Sequence, residues 1–242
     1  MNTMIKKAGL ATLLALGLST VALALPADFD AKLQSESRPQ ADKDRDAARK
    51  PKETMETLGV QEGWTVVDIA AGGGWFTRVI SAAVGPNGKV VAQFGERALQ
   101  TNNGQMQRDL AAELGNVEPI FAATATIPAN SADAAITALN FHDAYNFRGE
   151  EGGKAFLKEI FDVLKPGGVA AIIDHEGTAG LDNAKLHRIP VETARALILA
   201  TGFEIVSESD LLNNPADDHT LEVREGSLGR ATDQFFFVVK KP

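Results

Sequence analysis

Cysteine is absent from this chain of 242 residues, and basic residues are in the minority. Without cysteine no disulfide can form, which fits a protein exported to a compartment where stray thiols would pair. The 24 lysines and arginines are outnumbered by 32 aspartates and glutamates, so the formal net charge is −8. Because nucleic-acid binding needs clustered basic residues, we expect no nucleic-acid partner, and the acidic excess indicates a well-solvated surface.

A long apolar run is also missing. The segment AGLATLLALGLSTVALA near the amino terminus is apolar, but it is too short and too weakly flanked for a comfortable membrane span. It follows the basic stretch MNTMIKK and ends in the small-x-small pattern Ala22–Ala24. This order is typical of a secretory signal peptide, so we predict cleavage after Ala24, export to a bacterial-type periplasm and no stable membrane insertion afterwards. The alternative is an uncleaved N-terminal anchor.

Composition divides the chain into three parts. We predict a signal peptide at 1–24, an N-terminal helical extension or lid at 25–57, and one domain at 58–242. The extension is polar and dense in charge, so it is either a helix lying over the domain or a mobile arm.

From Trp64 onward, apolar strand-like runs alternate with helical segments. The predicted strands are WTVVDIA, KVVAQF, VEPIFA, DAAITALN, GVAAIIDH, FEIVSES and DQFFFVVKK, at 64–70, 89–94, 117–122, 133–140, 168–175, 203–209 and 233–241. The repeated order of strand, helix and strand predicts an α/β fold with a Rossmann-like, doubly wound sheet of about seven strands. The polar stretch 209–232 is predicted to be a long loop, and such loops are usually functional or poorly ordered.

The stretch VVDIAAGGGWFT, Val66–Thr77, places an acid at a strand end, then three glycines, then the start of a helix. Ligands of doubly wound sheets bind beyond the carboxyl ends of the strands, usually at the first strand–helix turn. Glycine permits a close approach of the backbone to a ligand and a positive φ. Gly72 and Gly74 match two positions of the dinucleotide fingerprint G-x-G-x-x-G, but Thr77 occupies the third. Asp68, four residues before Gly72, indicates a different kind of turn.

That spacing resembles motif I of the class I S-adenosylmethionine-dependent methyltransferases, in which an acid precedes x-G-x-G-x-G. A second segment, FLKEIFDVLKPGGVAAIID, resembles the family's helix, L-K-P-G-G turn and fifth strand. The order of elements also agrees, with TDQFFFVVKK expected to insert as an antiparallel last strand. The resemblance covers about residues 52–242. The segments RDAARKP, FHDAYN, DHEG, LHRIP and SDLLNNPADD are similar, more narrowly, to a group of exported bacterial methyltransferases of undefined substrate.

The resemblance implies S-adenosylmethionine as the cofactor. Gly72 and Gly74 would let the backbone approach its methionine moiety, and Asp68 would orient its amino group through the turn. Ala70 stands where the family carries its first glycine. The cofactor-binding residues implied by the resemblance are Asp68, Ala70, Gly72, Gly74, Gln93 and Asn140. The alternative is that the glycines only make a tight turn.

The second strand departs from the family pattern. The family usually ends this strand with an acid that bridges the ribose hydroxyls, whereas here Phe94 takes that place with Gln93 beside it. Gln93 could hydrogen-bond a ribose hydroxyl, but it lacks the charge-assisted strength of a carboxylate.

Polar side chains follow the fourth and fifth strands, in NFHDAYN and DHEG. They include His142 with Asp143, and Asp174 with His175, while KLHRIP adds His187. Three of the four histidines thus fall in segments that could converge. We expect His142 to be the general base, with Asp143 as its orienting partner or as a substrate ligand, and His175 as the second choice. The alternative is a purely structural role for these histidines.

Two further features have alternatives. Asp143, Asp174 and His175 stand where catechol-type methyltransferases place magnesium ligands, although histidine suits zinc or another transition metal better. Since no dense ligand spacing such as H-E-x-x-H is present, no metal site is predicted. In class I methyltransferases an N-terminal helix often covers the cofactor, so Arg45 or Arg49 could meet a carboxylate of cofactor or substrate. The alternative is a solvated charged helix.

The predicted function is S-adenosylmethionine-dependent methyl transfer to a small-molecule acceptor outside the cytoplasm, with O-methylation as one form. Two other functions stay open. One is an exported Rossmann-like protein that binds an adenosine-like metabolite and does no chemistry or a different chemistry. The other is a metal-dependent enzyme that uses the strand-end His/Asp cluster, because fold alone does not settle function.

Overall fold

The structure of the protein, a computed structural model, describes residues 25–229 and 231–242. The expected signal peptide, at 1–24, lies outside the described residues. Among the described residues, no helix has both the length and the apolar character needed to cross a membrane.

One eight-stranded sheet forms the centre of the domain. Its strands are β1 (Thr65–Ile69), β2 (Lys89–Gln93), β3 (Val117–Ile120), β4 (Ala132–Ala138), β5 (Leu164–Gly177), β6 (Ile189–Pro190), β7 (Glu204–Ser209) and β8 (Gln234–Lys240). Their spatial order is β3-β2-β1-β4-β5-β8-β7, and the two-residue β6 pairs with the end of β5. Strands β1 to β5 run parallel, whereas β8 lies antiparallel between β5 and β7. The predicted Rossmann-like sheet with an antiparallel last strand is confirmed.

Successive residues of the central strands are buried on opposite faces of the sheet. Val66 of β1 belongs to one hydrophobic cluster and Val67 to the other, and Ile173 and Ile172 of β5 divide in the same way. Because helices cover both faces, these strands are apolar along their whole length rather than alternating with polar residues.

Nine α-helices surround the sheet in the part of the chain described. They are α1 (Phe29–Leu33), α2 (Gln40–Lys43), α3 (Asp46–Arg49), α4 (Pro51–Leu58), α5 (Trp75–Val84), α6 (Gln105–Leu114), α7 (Phe141–Val163), α8 (Asn183–Leu186) and α9 (Val191–Thr201). Helices α1, α4 and α5 contribute to the cluster on one face, and α7 and α9 to the cluster on the other. Helix α7 is interrupted at Gly149, which has a φ of 68° and a ψ of −167°.

The N-terminal extension lies against the start of α5. Arg38 donates to both carboxylate oxygens of Asp46, at 2.5 and 2.7 Å. Trp75 Nε1 donates to the carbonyl of Asp42 (3.0 Å) and to Asp46 Oδ1 (3.1 Å), and Arg78 Nη1 donates to the Asp42 carboxylate (3.1 Å). These contacts place the extension beside the glycine turn, where a lid would lie.

The long loop 209–232 is tied to the domain by a buried ion pair. Arg188 is fully buried, its Nη2 donates to Asp217 Oδ1 at 3.0 Å, and its Nη1 lies 2.9 Å from Asp217 Oδ2. Its Nε and Nη1 also donate to the backbone carbonyls of Leu221 and Glu176. Burial by itself would raise the pKa of Asp217, but hydrogen bonds from the Asp233 N–H and from Arg188 hold that pKa below its ordinary value. Arg188 therefore anchors the loop.

Replacing Asp217 by alanine is expected to lower the free energy of unfolding by about 3 kcal/mol, because it leaves the buried Arg188 charge without its carboxylate. Urea denaturation measures the effect. The double variant R188M/D217L should recover much of the loss, since it removes both charges. A D217A variant as stable as the wild type would show that the pair does not anchor the loop.

Candidate active site

β1 ends at Ile69, and the chain turns into α5 through residues with left-handed backbone conformations. Ala70, Gly72 and Gly74 have φ values of 53°, 58° and 81°. Ala70 adopts this conformation despite its Cβ, at the place where the resembled motif carries glycine. At Gly74 a Cβ would also lie 2.3 Å from Leu110 Cδ2. The backbone and the packing of α6 together therefore require glycine at position 74.

Gly72 and Gly73 border two cavities, of about 230 and 220 Å³. Their linings include Asp68, Trp75 and Asn140 in the first, and Phe94, Met106 and Leu110 in the second. A Cβ added at Gly73 would meet no atom within 4 Å, and its φ lies outside the left-handed region. The protein's own packing thus does not require glycine at position 73, whereas a ligand lying against the backbone would. The residues present fit an elongated cofactor that crosses the turn.

Asp68 is a buried acid at the floor of the first cavity. Its Oδ2 accepts a hydrogen bond from Thr77 Oγ1 at 2.6 Å. Burial raises the pKa of Asp68 to about 7, although the Thr77 hydroxyl and the charge of Arg49 oppose the rise. A cationic group bound beside Asp68 would favour its ionised form.

Gln93 ends β2, and Asn140 follows β4 as the N-cap of α7, so the two come from the strands on either side of β1. Gln93 is buried, its Oε1 accepts from the Ala70 N–H (2.9 Å) and its Nε2 donates to the Ala122 carbonyl (2.8 Å). Gln93 therefore braces the glycine turn from β2 with both ends of its amide. Asn140 lines the first cavity, and its Nδ2 donates to the Ala138 carbonyl. Their assignment to cofactor binding stays a prediction.

A larger cavity of about 730 Å³ adjoins the first. Leu139 lines both of them, and its φ of 65° is rare for a bulky side chain. Most of the other lining side chains are charged or polar, namely Asp44, Arg45, Arg49, His142, Asp143, His175, Arg224 and Gln234. The volume falls within the range typical of small-molecule sites.

His142 lies at the centre of a hydrogen-bonded cluster in this larger cavity. Its Nδ1 lies 2.6 Å from Asp174 Oδ1, and its backbone N–H donates to Asp174 Oδ2 at 2.7 Å. Its Nε2 lies 3.1 Å from Asp143 Oδ1. Burial lowers the pKa of His142, but the hydrogen bond and charge of Asp174, with the charge of Asp143, raise it above its ordinary value. Asp174 therefore orients the ring, while Asp143 meets the opposite nitrogen.

The other two histidines of the strand-end group differ in environment. His175 is buried, its Nδ1 lies 2.7 Å from Thr232 Oγ1, and burial lowers its pKa to about 4. It is therefore neutral near physiological pH. His187 Nδ1 lies 3.0 Å from Asp143 Oδ1, and its Nε2 lies 3.3 Å from Arg224.

The structure brings most of the strand-end residues together. His142, Asp143 and His175 line the larger cavity, whereas Asp174 is fully buried behind it. Sequence reasoning missed Leu139 and Arg224, since neither belongs to a recognisable motif. Only the strained backbone of Leu139 and the folding-back of the 209–232 loop identify them.

These features define a class I S-adenosylmethionine-dependent methyltransferase fold and site. More narrowly, the chain belongs to the ubiE/COQ5 methyltransferase family, whose sequence model matches residues 46–181. Membership of this family implies S-adenosylmethionine as the cofactor.

Curated relatives are similar over about half of the chain. A demethylmenaquinone methyltransferase of Lactococcus lactis is 29% identical over 122 residues, which are 50% of this chain and 46% of that protein. One from Listeria welshimeri is 31% identical over 126 residues, covering 51% of this chain and 50% of the relative. The ubiquinone/menaquinone biosynthesis C-methyltransferase UbiE of Pasteurella multocida is 32% identical over 124 residues, covering 50% and 43%. The chain thus spans about half the length of the curated relatives it matches.

Solved structures share the fold. A SAM-dependent methyltransferase from Aquifex aeolicus superposes with a TM-score of 0.58 at 20% identity, covering 88% of this chain and 98% of that one. The [4+2]-cyclase SpnF gives a TM-score of 0.60 at 18% identity, with coverage of 86% and 85%. At these identities the similarity establishes the fold alone, and the second protein is named for a cyclisation.

Asp68 is expected to make the stability of the free protein depend on pH. Its pKa of about 7 in the folded chain lies above the ordinary 3.8, so the protonated acid stabilises the folded state at low pH. This contribution is fully present below about pH 4 and is lost as the pH rises through 7. Between about pH 5 and pH 8 the free energy of unfolding should fall by about 2 kcal/mol more in the wild type than in Asp68→Asn. Parallel curves from urea denaturation of the two proteins would contradict this account.

Proposed function

We propose that this protein transfers a methyl group from S-adenosylmethionine to a small polar molecule. The observation that carries the proposal is the glycine turn. Gly72 and Gly73 border two cavities that the protein's own side chains do not fill, so a ligand can lie against their backbone. The family and the fold agree with it. S-adenosylmethionine supplies an electrophilic methyl group on a sulfonium, which an acceptor attacks from the opposite side.

The chain's own residues would hold the two partners in line. Gly72 and Gly73 admit the donor, and Asp68 offers a carboxylate to its cationic end. Leu139 borders both the donor cavity and the larger cavity, so a methyl group would pass beside it. Fixing two reactants in this way removes much of the entropic barrier of a displacement between separate molecules.

The larger cavity is where we place the acceptor. We assign acceptor binding and proton transfer to His142, Asp143 and His175, which line it. Its charged and polar lining favours a polar acceptor over the apolar part of a lipid-like one. The names of the curated relatives refer to menaquinone and ubiquinone biosynthesis. A quinone-like head group therefore remains the second candidate, and it too carries oxygen atoms that a polar cavity can bind.

We further propose that the protein acts outside the cytoplasm. The basic start, the apolar segment and the pattern Ala22–Ala24 support this, together with the lack of cysteine. Since S-adenosylmethionine is made in the cytosol, an exported enzyme would need an external supply of the donor.

Calorimetry with S-adenosylhomocysteine tests donor binding without knowledge of the acceptor. Micromolar binding is expected for the wild type, and Gly72→Asp should reduce it at least a hundredfold, because the new side chain enters the space between the two cavities. Gly180→Asp is a matched control: it also has a positive φ (90°) and open space around it, but it lines neither cavity. Absence of wild-type binding, or equal loss in both variants, would contradict the proposal.

Transfer itself needs a separate measurement. Protein incubated with methyl-labelled S-adenosylmethionine and a panel of hydroxylated aromatic and carboxylic acids, with quinols as a second set, should yield a labelled small molecule and S-adenosylhomocysteine. Binding of the donor without label transfer to any acceptor in the panel would favour the binding-protein alternative. Label in the quinols alone would favour the second candidate acceptor.

Export is tested by cell fractionation. We expect the mature protein in the periplasmic fraction with Leu25 as its N-terminal residue, because cleavage should follow Ala24. N-terminal sequencing measures it, and a cytoplasmic protein that retains residues 1–24 would contradict the expectation.

A further inference from the structure

We propose that His142, Asp143 and His187 form a binding site for a divalent transition-metal ion in the wall of the larger cavity. One ligand atom from each residue lies within 4.8 Å of the other two. Sequence reasoning considered Asp143 with Asp174 and His175 instead. The inference concerns metal binding alone. With an ion on Nε2, His142 would not serve as the base, and proton transfer in the larger cavity would fall to His175.

The distances within the cluster suit a shared ion. His142 Nε2 lies 3.1 Å from Asp143 Oδ1, and His187 Nδ1 lies 3.0 Å from the same oxygen. Ligands at about 2.0–2.2 Å from a zinc-like ion are separated by about 2.9–3.5 Å, depending on the bond angles. The three groups thus need little movement to surround one ion.

Asp174 gives the ring of His142 the carboxylate partner that metal-binding histidines usually have. It is fully buried and accepts at 2.6 Å from the ring nitrogen opposite the proposed ligand atom. A carboxylate in this position fixes the orientation and tautomer of the ring and raises the basicity of the free nitrogen. Asp174 has no exposed surface and also accepts from the backbone N–H groups of His142 and His175, so we assign it the role of orienting His142 and not that of a ligand.

The cluster leaves room for further ligands. His142 and Asp143 face the larger cavity of about 730 Å³, so water or an oxygen of a bound molecule could complete the coordination. Two imidazoles and one carboxylate with open positions favour a first-row transition metal such as Zn²⁺, Co²⁺ or Fe²⁺ over Mg²⁺ or Ca²⁺, which prefer oxygen ligands. The two carboxylates Asp143 and Asp174 balance the charge of the ion.

Metal binding at His187 requires Arg224 to move. Its Nη1 lies 3.3 Å from His187 Nε2, which carries a proton when Nδ1 binds a metal. The side chain of Arg224 is 68% exposed, so it can turn toward solvent. The family model matches residues 46–181, so the third proposed ligand, His187, lies in the part of the chain that follows the match.

Cobalt titration of the protein, freed of any purification tag and treated with chelator, tests the site. Co²⁺ should bind at a single equivalent and give visible d–d absorption typical of nitrogen and oxygen ligands at low coordination number, and Zn²⁺ should displace it. His187→Asn should weaken binding about 10- to 100-fold, and asparagine tolerates the φ of 55° at this position. Gly72→Asp should bind Co²⁺ as the wild type does, which separates this test from that of donor binding.

His219→Asn provides the matched control. His219 also has a positive φ (64°) and a carboxylate partner, Asp233, but it lies outside the cluster. Retained binding in His219→Asn with loss in His187→Asn supports the site. The proposal is overturned if the wild type shows no saturable Co²⁺ binding, if His187→Asn binds Co²⁺ as tightly as the wild type, or if both variants lose binding equally. If His187→Asn melts below the wild type without metal, Asp143→Asn, at a half-exposed position, takes its place with the same expected outcome.

Discussion

The buried carboxylate of Asp174 organises the wall of the larger cavity. It lies at the end of β5 with no exposed surface, and all of its hydrogen bonds go to groups of the same corner: the ring and backbone of His142 and the backbone of His175. A buried carboxylate without such partners would be costly, so the start of α7 and the end of β5 are held together. The orientation of His142, and through it the contacts with Asp143 and His187, depends on this one group.

A comparable buried acid, Asp68, lies near the end of β1 and lines the cavity at the glycine turn. Because β1, β4 and β5 are parallel neighbours, their carboxyl ends open on one edge of the sheet. The glycine turn, Leu139 and Asp174 therefore lie at the ends of neighbouring strands. Asp68 accepts hydrogen bonds from Thr77 and has a raised pKa, whereas Asp174 takes part in three hydrogen bonds with His142 and His175. The contrast fits one acid that responds to a ligand and one that holds structure.

The loop that follows β7 and the N-terminal extension both line the larger cavity. The ion pair of Arg188 with Asp217 holds the loop. Hydrogen bonds from Trp75 and Arg78 to Asp42 hold the extension beside the glycine turn. Their charged residues give the larger cavity its polar lining. The family match covers neither the beginning of the extension nor this loop.

The order of strands and helices and the glycine turn were decided by the sequence itself. Burial on both faces of a parallel sheet demands continuous apolar strands, and a tight turn with positive φ favours glycine, so VVDIAAGGGWFT and LKPGG could be interpreted locally. The hydrogen-bond and ion-pair partners of the polar side chains could not be predicted from the local sequence. Gln93 braces a backbone turn with both ends of its amide, Asp174 rather than Asp143 orients His142, and Arg188 anchors a loop. Only the tertiary structure decided these roles. Hydrogen bonds between residues distant in sequence depend on how the helices and strands pack, and not on each residue's neighbours along the chain.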